Sequence, residues 1–133
     1  MHGLSVLVYS KAKDGNLKLS NNFRVREFAC KDGSDVVFVS PKLVEVLQAI
    51  RDHFKAPVTI NSGYRSVSYN KKIKAAQFSQ HQYGTAADIQ VEGVEPEEVY
   101  AYAEKLMPKT GGIGLYDTFT HVDVRTARSR WKG

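Results

Sequence analysis

The chain has 133 residues, enough for one compact domain with a core of its own. Its single cysteine, Cys30, rules out an internal disulfide and a thiolate-rich metal site, and its net charge of +5 suits an anionic partner without defining one. No apolar run approaches the ~20 residues of a membrane-spanning helix, and the stretch 4–9 is too short, with no basic flank, to be the core of an export signal.

In chain order, residues 1–22 read as an N-terminal strand and turn, with Asp14-Gly15-Asn16 as the turn signal. Residues 23–30 form an irregular or short helical lead-in, and 36–39 are a short apolar run. Ser40-Pro41 then opens a helix, since serine can cap free N–H groups and proline suits the first helical position. Leu43, Val44, Leu47, Ile50 and Phe54 follow at helical spacing, and Pro57 stops the run. Residues 58–61 alternate and read as a strand that ends in the loop Gly63-Tyr64-Arg65. A short helix over 68–76 and a loop over 77–84 precede a strand over 85–91. In that strand Ala87, Ile89 and Val91 share one face, while Ala86, Asp88 and Gln90 share the other. Pro96 begins a second amphipathic helix with Val99, Ala103 and Leu106 inward. Glu97 and Glu98 occupy its first turn, where the helix dipole favours them. Residues 112–116 and 119–124 pair as a hairpin around Asp117-Thr118. The whole is one α+β domain, an antiparallel sheet with packed helices.

The chemistry concentrates in the run Ser79-Gln80-His81-Gln82-Tyr83-Gly84-Thr85-Ala86-Ala87-Asp88 and in His121-Val122-Asp123. His81, Asp88 and His121 offer two imidazoles and one carboxylate, the three protein ligands of a catalytic zinc site that keeps a fourth place for water. Iron, cobalt and manganese accept the same donors. Asp88 lies on the strand face away from the apolar side, where a carboxylate needs solvent or a partner, and a metal is one. Asp123 shares a strand face with His121, so it either takes a proton from water or orients a ligand imidazole. His2 is read as a terminal residue and His53 as a residue on the outer face of the first long helix.

The pattern S-x-H-x-x-G-x-A-x-D followed by H-x-D resembles the D-Ala-D-Ala carboxypeptidase-like zinc peptidases. These share a fold with D-Ala-D-Ala dipeptidases, phage L-alanyl-D-glutamate endolysins and the hedgehog signalling domain. The resemblance covers residues 23–131. It implies a hedgehog/DD-peptidase-like fold, zinc at His81, Asp88 and His121, and peptidoglycan stem peptides as substrate. It also implies that Arg65 clamps a substrate carboxylate or polarises the scissile carbonyl, and that Ser79 contacts substrate or orients the metal loop. Tyr64 and Trp131 are candidates to line the groove, with core packing the favoured role for aromatics. Two departures stand out. The dipeptidases and endolysins carry an acidic base three residues before the last histidine, a position held here by Thr118. The candidate bases are therefore Asp123 first and Asp117 second. Phe78, ahead of the serine, stands where relatives carry small residues and is expected to narrow the groove.

These readings converge on a zinc metallopeptidase acting on stem peptides, as a D-Ala-D-Ala carboxypeptidase or an endopeptidase. A non-catalytic, zinc-containing wall-binding or phage structural module is the alternative, because fold and metal alone do not make a protease. The basic groups Lys71, Lys72 and Lys74, and Arg125, Arg128, Arg130 and Lys132, suit anionic wall polymers, or form a solvated face with no partner. No nucleic-acid motif accompanies them. A monomer is the expected state. With no export signal read, synthesis in the cytoplasm and action at the wall imply release by lysis, as in a phage or prophage role.

Overall fold

The computed structural model describes residues 5–75 and 79–133. In chain order the elements are β1 (Leu7–Ser10), α1 (Lys11–Asp14), β2 (Lys18–Ser20), β3 (Phe23–Arg24), a 3-10 turn (Val25–Phe28), β4 (Val36–Val39), α2 (Pro41–Phe54), β5 (Val58–Ser62), α3 (Val67–Lys72), a second 3-10 turn (Gln80–Tyr83), β6 (Ala86–Val91), α4 (Pro96–Leu106), β7 (Gly112–Leu115), β8 (Thr120–Asp123) and β9 (Ser129–Lys132).

The organising element is a five-stranded sheet in the order β5-β6-β8-β7-β9. Its first four strands pair antiparallel, as the alternating patterns predict. The edge strand β9 runs parallel to β7 and makes the sheet mixed, an addition to the purely antiparallel expectation. Two small two-stranded sheets, β1-β4 and β2-β3, complete the fold. The long helices form because apolar residues recur at helical spacing and close a core against the sheet. From α2 come Leu43, Val44, Leu47 and Ile50; from α4, Val99 and Ala103; from the sheet, Ala87, Ile89, Ile113 and Val122. Phe23, Val25 and Phe28 fill the same core from the N-terminal part.

Boundaries follow local chemistry with one exception. Pro41 opens α2, but the buried Ser40 hydroxyl makes no capping bond, so proline rather than a serine cap sets that start. α4 begins with a reciprocal cap between Glu95 and Glu98. α3 is capped by the Ser66 hydroxyl, which accepts from Tyr69 N, and ends at Lys72, earlier than the periodicity predicts. The region expected as strand and turn holds β1, the one-turn α1 and β2, and β1 pairs with the apolar run that is β4. Among the described residues no helix is long and apolar enough to cross a membrane.

A candidate metal centre in an open groove

His81 arrives through a backbone built to fix it. Ser79 opens the 3-10 turn by accepting from His81 N at 3.2 Å, while the Gln82 side chain accepts from Ser79 N. The His81 carbonyl accepts from Arg65 N at 3.0 Å, which ties this turn to the loop after β5. Gly84 ends the turn in the left-handed conformation and hands the chain to β6, where Asp88 faces the groove. In the sheet register Asp88 sits directly opposite His121 of β8, so antiparallel pairing alone brings two of the three donors together.

The ring hydrogen bonds define which nitrogen of each histidine is available. His81 Nδ1–H donates to the Gly63 carbonyl at 2.8 Å, leaving the Nε2 lone pair directed at Asp88 Oδ1, 3.4 Å away. His121 Nε2 lies 2.8 Å from Asp123 Oδ2 and donates to it, leaving Nδ1 directed at the same Asp88 oxygen at 3.0 Å. Two lone pairs and a carboxylate oxygen thus converge. Acceptors aimed at one another repel unless a cation joins them. One donor atom from each of His81, Asp88 and His121 lies within 4.8 Å of the others. Ligands about 2.1 Å from a tetrahedral ion stand about 3.4 Å apart, which suits the 3.4 and 3.0 Å separations of the two imidazole nitrogens from Asp88 Oδ1. All three residues are buried, with exposures of 3, 8 and 7%.

The electrostatics agree with that reading. Burial pushes the Asp88 carboxyl up, but the His121 and His81 imidazoles, which donate to it and carry positive charge once protonated in the metal-free site, outweigh it and hold the group well below the usual carboxylate range. Burial pushes His121 down, while the Asp123 and Asp88 carboxylates on either side of its ring raise it overall. The site attracts positive charge, whether a proton or a metal ion.

Asp123 is wholly buried and does not line the groove. Its Oδ1 accepts from Gly112 N at 2.9 Å, Arg125 N at 3.1 Å and Arg125 Nε at 2.8 Å. Its Oδ2 accepts from Arg125 Nη2 at 2.7 Å as well as from His121. Burial raises its carboxyl, but His121 and Arg125 bring it well below the ordinary range. Both Asp123 oxygens are therefore committed to neighbours. Asp117 is exposed in the β7–β8 turn and also stands outside the groove lining. Thr118 lines a different, smaller cavity beside α4, with Ile89, Val94 and Val99. Neither the first nor the second candidate base, nor the position three before His121, lines the groove that holds the donor cluster.

The groove itself has a volume of about 510 Å³. Arg65, Ser79, Gln80 and Arg125 line it together with the cluster, and Tyr116, Phe119 and Trp131 form an aromatic wall. Arg65 Nη2 donates to Asp88 Oδ2 at 3.3 Å and Nε donates to Ser62 Oγ at 3.0 Å. Tyr64, a candidate for the groove with core packing the favoured role, is packed in the core with its ring 4.9 Å from that of Phe38. Phe78 and His2 lie outside the described residues. His53 is exposed on α2, as its spacing predicts, and stacks on Tyr102 of α4. A second groove of about 570 Å³, between β1, β4 and α2, is lined by Leu7, Tyr9, Val39 and Val44 among others and holds no imidazole, so the chemistry lies elsewhere.

Sequence reasoning passed over Tyr116 and Phe119 and read Arg125 only as part of a basic cluster. Alternation was the available signal: Phe119 and Asp123 flank His121 at two-residue steps on one strand face. Trp131 reaches the groove because β7 presents Gly114 beneath it. A Cβ at Gly114 would come within 2.5 Å of the indole, and one at Gly112 within 2.3 Å of Asp123 Oδ2.

An α+β sheet carrying a converging two-histidine, one-carboxylate donor set in an open groove defines the metallohydrolase class of site. The chain belongs to the Peptidase M15 family, whose sequence profile matches residues 19–123. Over 81 residues it is 35% identical to the peptidoglycan L,D-endopeptidase MepK of Escherichia coli K12, covering 56% of this chain and 43% of that protein. A match of 85 residues at 38% identity joins it to the probable peptidoglycan L,D-endopeptidase MepK of Haemophilus influenzae, covering 59 and 44% of the two chains. A shorter match, 44 residues at 46% identity, is to the zinc D-Ala-D-Ala carboxypeptidase of Streptomyces albus G, covering 32% of this chain and 17% of that one. The matched stretches span less than half the length of these curated relatives.

Proposed function

We propose that the chain is a zinc metallopeptidase that hydrolyses peptide bonds in bacterial peptidoglycan stem peptides, as an endopeptidase or a D-Ala-D-Ala carboxypeptidase. The observation that carries the proposal is the convergence of His81 Nε2, Asp88 Oδ1 and His121 Nδ1 in an open groove of a Peptidase M15 chain. The matched relatives named for peptidoglycan endopeptidase and zinc carboxypeptidase activity support the substrate class. The site of action is then the cell wall.

His81, Asp88 and His121 would hold the zinc, which supplies Lewis acidity to activate water and polarise a peptide carbonyl. Gly63 and Asp123 keep the two imidazoles in the tautomers that face Asp88. Asp123 therefore acts as a positioning residue in this reading. Arg65, braced by Asp88 and Ser62, is placed to grip a substrate carboxylate with the rest of its guanidinium. Ser79 holds the turn that carries His81, and the open groove admits a peptide chain.

One observation favours the alternative of a non-catalytic wall-binding module. Among the described residues no acidic side chain other than Asp88 lines the groove, and Thr118 lines another cavity. Mass spectrometry of stem peptides and wall fragments incubated with zinc-loaded protein, with a chelated control, separates the two. Chelator-sensitive cleavage is expected, and release of D-Ala or a cut internal bond names the reaction. Intact fragments with zinc demonstrably bound would establish the binding module.

A further inference from the structure

We propose that Tyr116 is a catalytic residue of this site, its hydroxyl donating a hydrogen bond to the carbonyl oxygen of the scissile peptide as that oxygen gains charge. The inference rests on the peptidase reading above and supplies a residue that reading lacks. The two guanidiniums of the groove are each braced on a carboxylate, Arg65 on Asp88 and Arg125 on Asp123. Among the described residues no acid other than Asp88 lines it. Tyr116 lines the same groove as His81, Asp88 and His121 and brings a neutral donor.

Its placement is that of a fixed group. The ring lies face to face with Phe119, 4.4 Å between centroids and 9° between planes, across the turn joining β7 to β8. Tyr116 N donates to the Phe119 carbonyl at 3.1 Å and closes that turn. Trp131 Nε1–H donates to the Tyr116 hydroxyl oxygen at 2.9 Å. An indole N–H is a donor only, so it occupies a lone pair of that oxygen and turns the phenolic proton to the other side. Among the described residues no acceptor takes that proton. The same indole packs 4.9 Å from the His121 ring, centroid to centroid, which sets Tyr116 beside the donor cluster. Such an arrangement meets the requirement for stabilising a developing oxyanion: a donor held in place before the reaction by its stacked neighbour Phe119 and by the Trp131 indole. Trp131 is a positioning residue in this scheme.

Tyr116→Phe tests it, because the ring packing stays and only the hydroxyl goes. With zinc-loaded enzyme and a stem peptide that the wild type cuts, kcat is expected to fall about 100-fold, the typical effect of losing one oxyanion donor, with KM and zinc content unchanged. Affinity for the phosphinate analogue of that same bond, measured by calorimetry, is expected to fall by a similar factor, while affinity for the cleaved product is kept. Wild-type kcat in the variant, or a loss confined to KM, overturns the assignment and leaves Tyr116 as a wall of the groove. Should Tyr116→Phe fail to fold, Trp131→Phe answers in its place. That change frees the hydroxyl to rotate, so a fall in kcat at constant KM, smaller than the loss from removing the donor, supports the assignment, and unchanged kcat overturns it. Cleavage by the wild type keeps the peptidase reading intact, so the ratio of variant to wild type bears on Tyr116 alone. A wild type that cuts nothing while holding zinc sinks the reading and the assignment with it.

Discussion

Replacing Asp123 by Asn separates the two roles that its position beside His121 allows. The carboxylate is wholly buried, accepts from the His121 ring and Gly112 N, and takes a paired guanidinium contact from Arg125. Asn keeps the shape but removes the charge and one acceptor. Breaking a fully buried ion pair from one side costs about 3–5 kcal/mol. The Arg125 side chain is 30% exposed, so water recovers part of that, and a loss of about 1–3 kcal/mol in stability is expected. The second effect is on the metal. A carboxylate that holds a ligand imidazole in its tautomer typically contributes 10–100-fold to metal affinity, about 1.4–2.7 kcal/mol. Asp123→Asn should therefore bind zinc about 10–100-fold more weakly and regain most of its activity at saturating zinc. Competition against a chelating dye gives the affinity, a thermal melt the stability, and peptide cleavage at saturating zinc the rate. Unchanged zinc affinity with kcat lost at saturating zinc would refute the reasoning and return Asp123 to the role of general base.

Three further expectations follow from the same geometry. Asp88 and Asp123 titrate below ordinary carboxylates, so their contribution to stability is present above about pH 4 and disappears as pH falls below it. His121 is raised, so its contribution is complete below about pH 6.5 and is lost as pH rises past its folded value. Metal-free protein should melt at its highest temperature between these limits, and a flat profile in thermal melts from pH 3 to 9 would oppose the assignment. Gly114→Ala places a methyl group against the Trp131 indole; a cost of about 1–3 kcal/mol in thermal stability and a shifted near-ultraviolet signal are expected. Trp131 is the only tryptophan and packs on His121, so its fluorescence should change on adding zinc and revert on chelation; emission indifferent to zinc would mean that the metal binds elsewhere.

The sequence shows the long elements because their periodicity is strong. α2 is legible from Pro41 and four apolar turns, and β6 and β8 from alternation that places Asp88 and His121 away from the core. The short pieces are hidden. β9 carries one apolar residue in Ser-Arg-Trp-Lys, and its parallel pairing with β7 is a tertiary choice that no local pattern encodes. Tyr64 follows the strand that leads to the site, yet its ring finds Phe38 in the core; adjacency in sequence did not decide direction. Alternation places Asp123 beside His121 but is silent on Arg125 folding back to saturate it. The aromatic wall was equally obscure, because Tyr116 and Phe119 flank a turn and meet Trp131 only once β7 and β9 pair.

The most direct test is an anomalous difference map at the zinc edge, from crystals grown with the metal. A single strong peak is predicted, bonded to His81 Nε2, Asp88 Oδ1 and His121 Nδ1 at about 2.0–2.3 Å, with Asp123 still on the far nitrogen of His121. A peak at another place, or His121 turned to bind through Nε2, would contradict the metal centre described here.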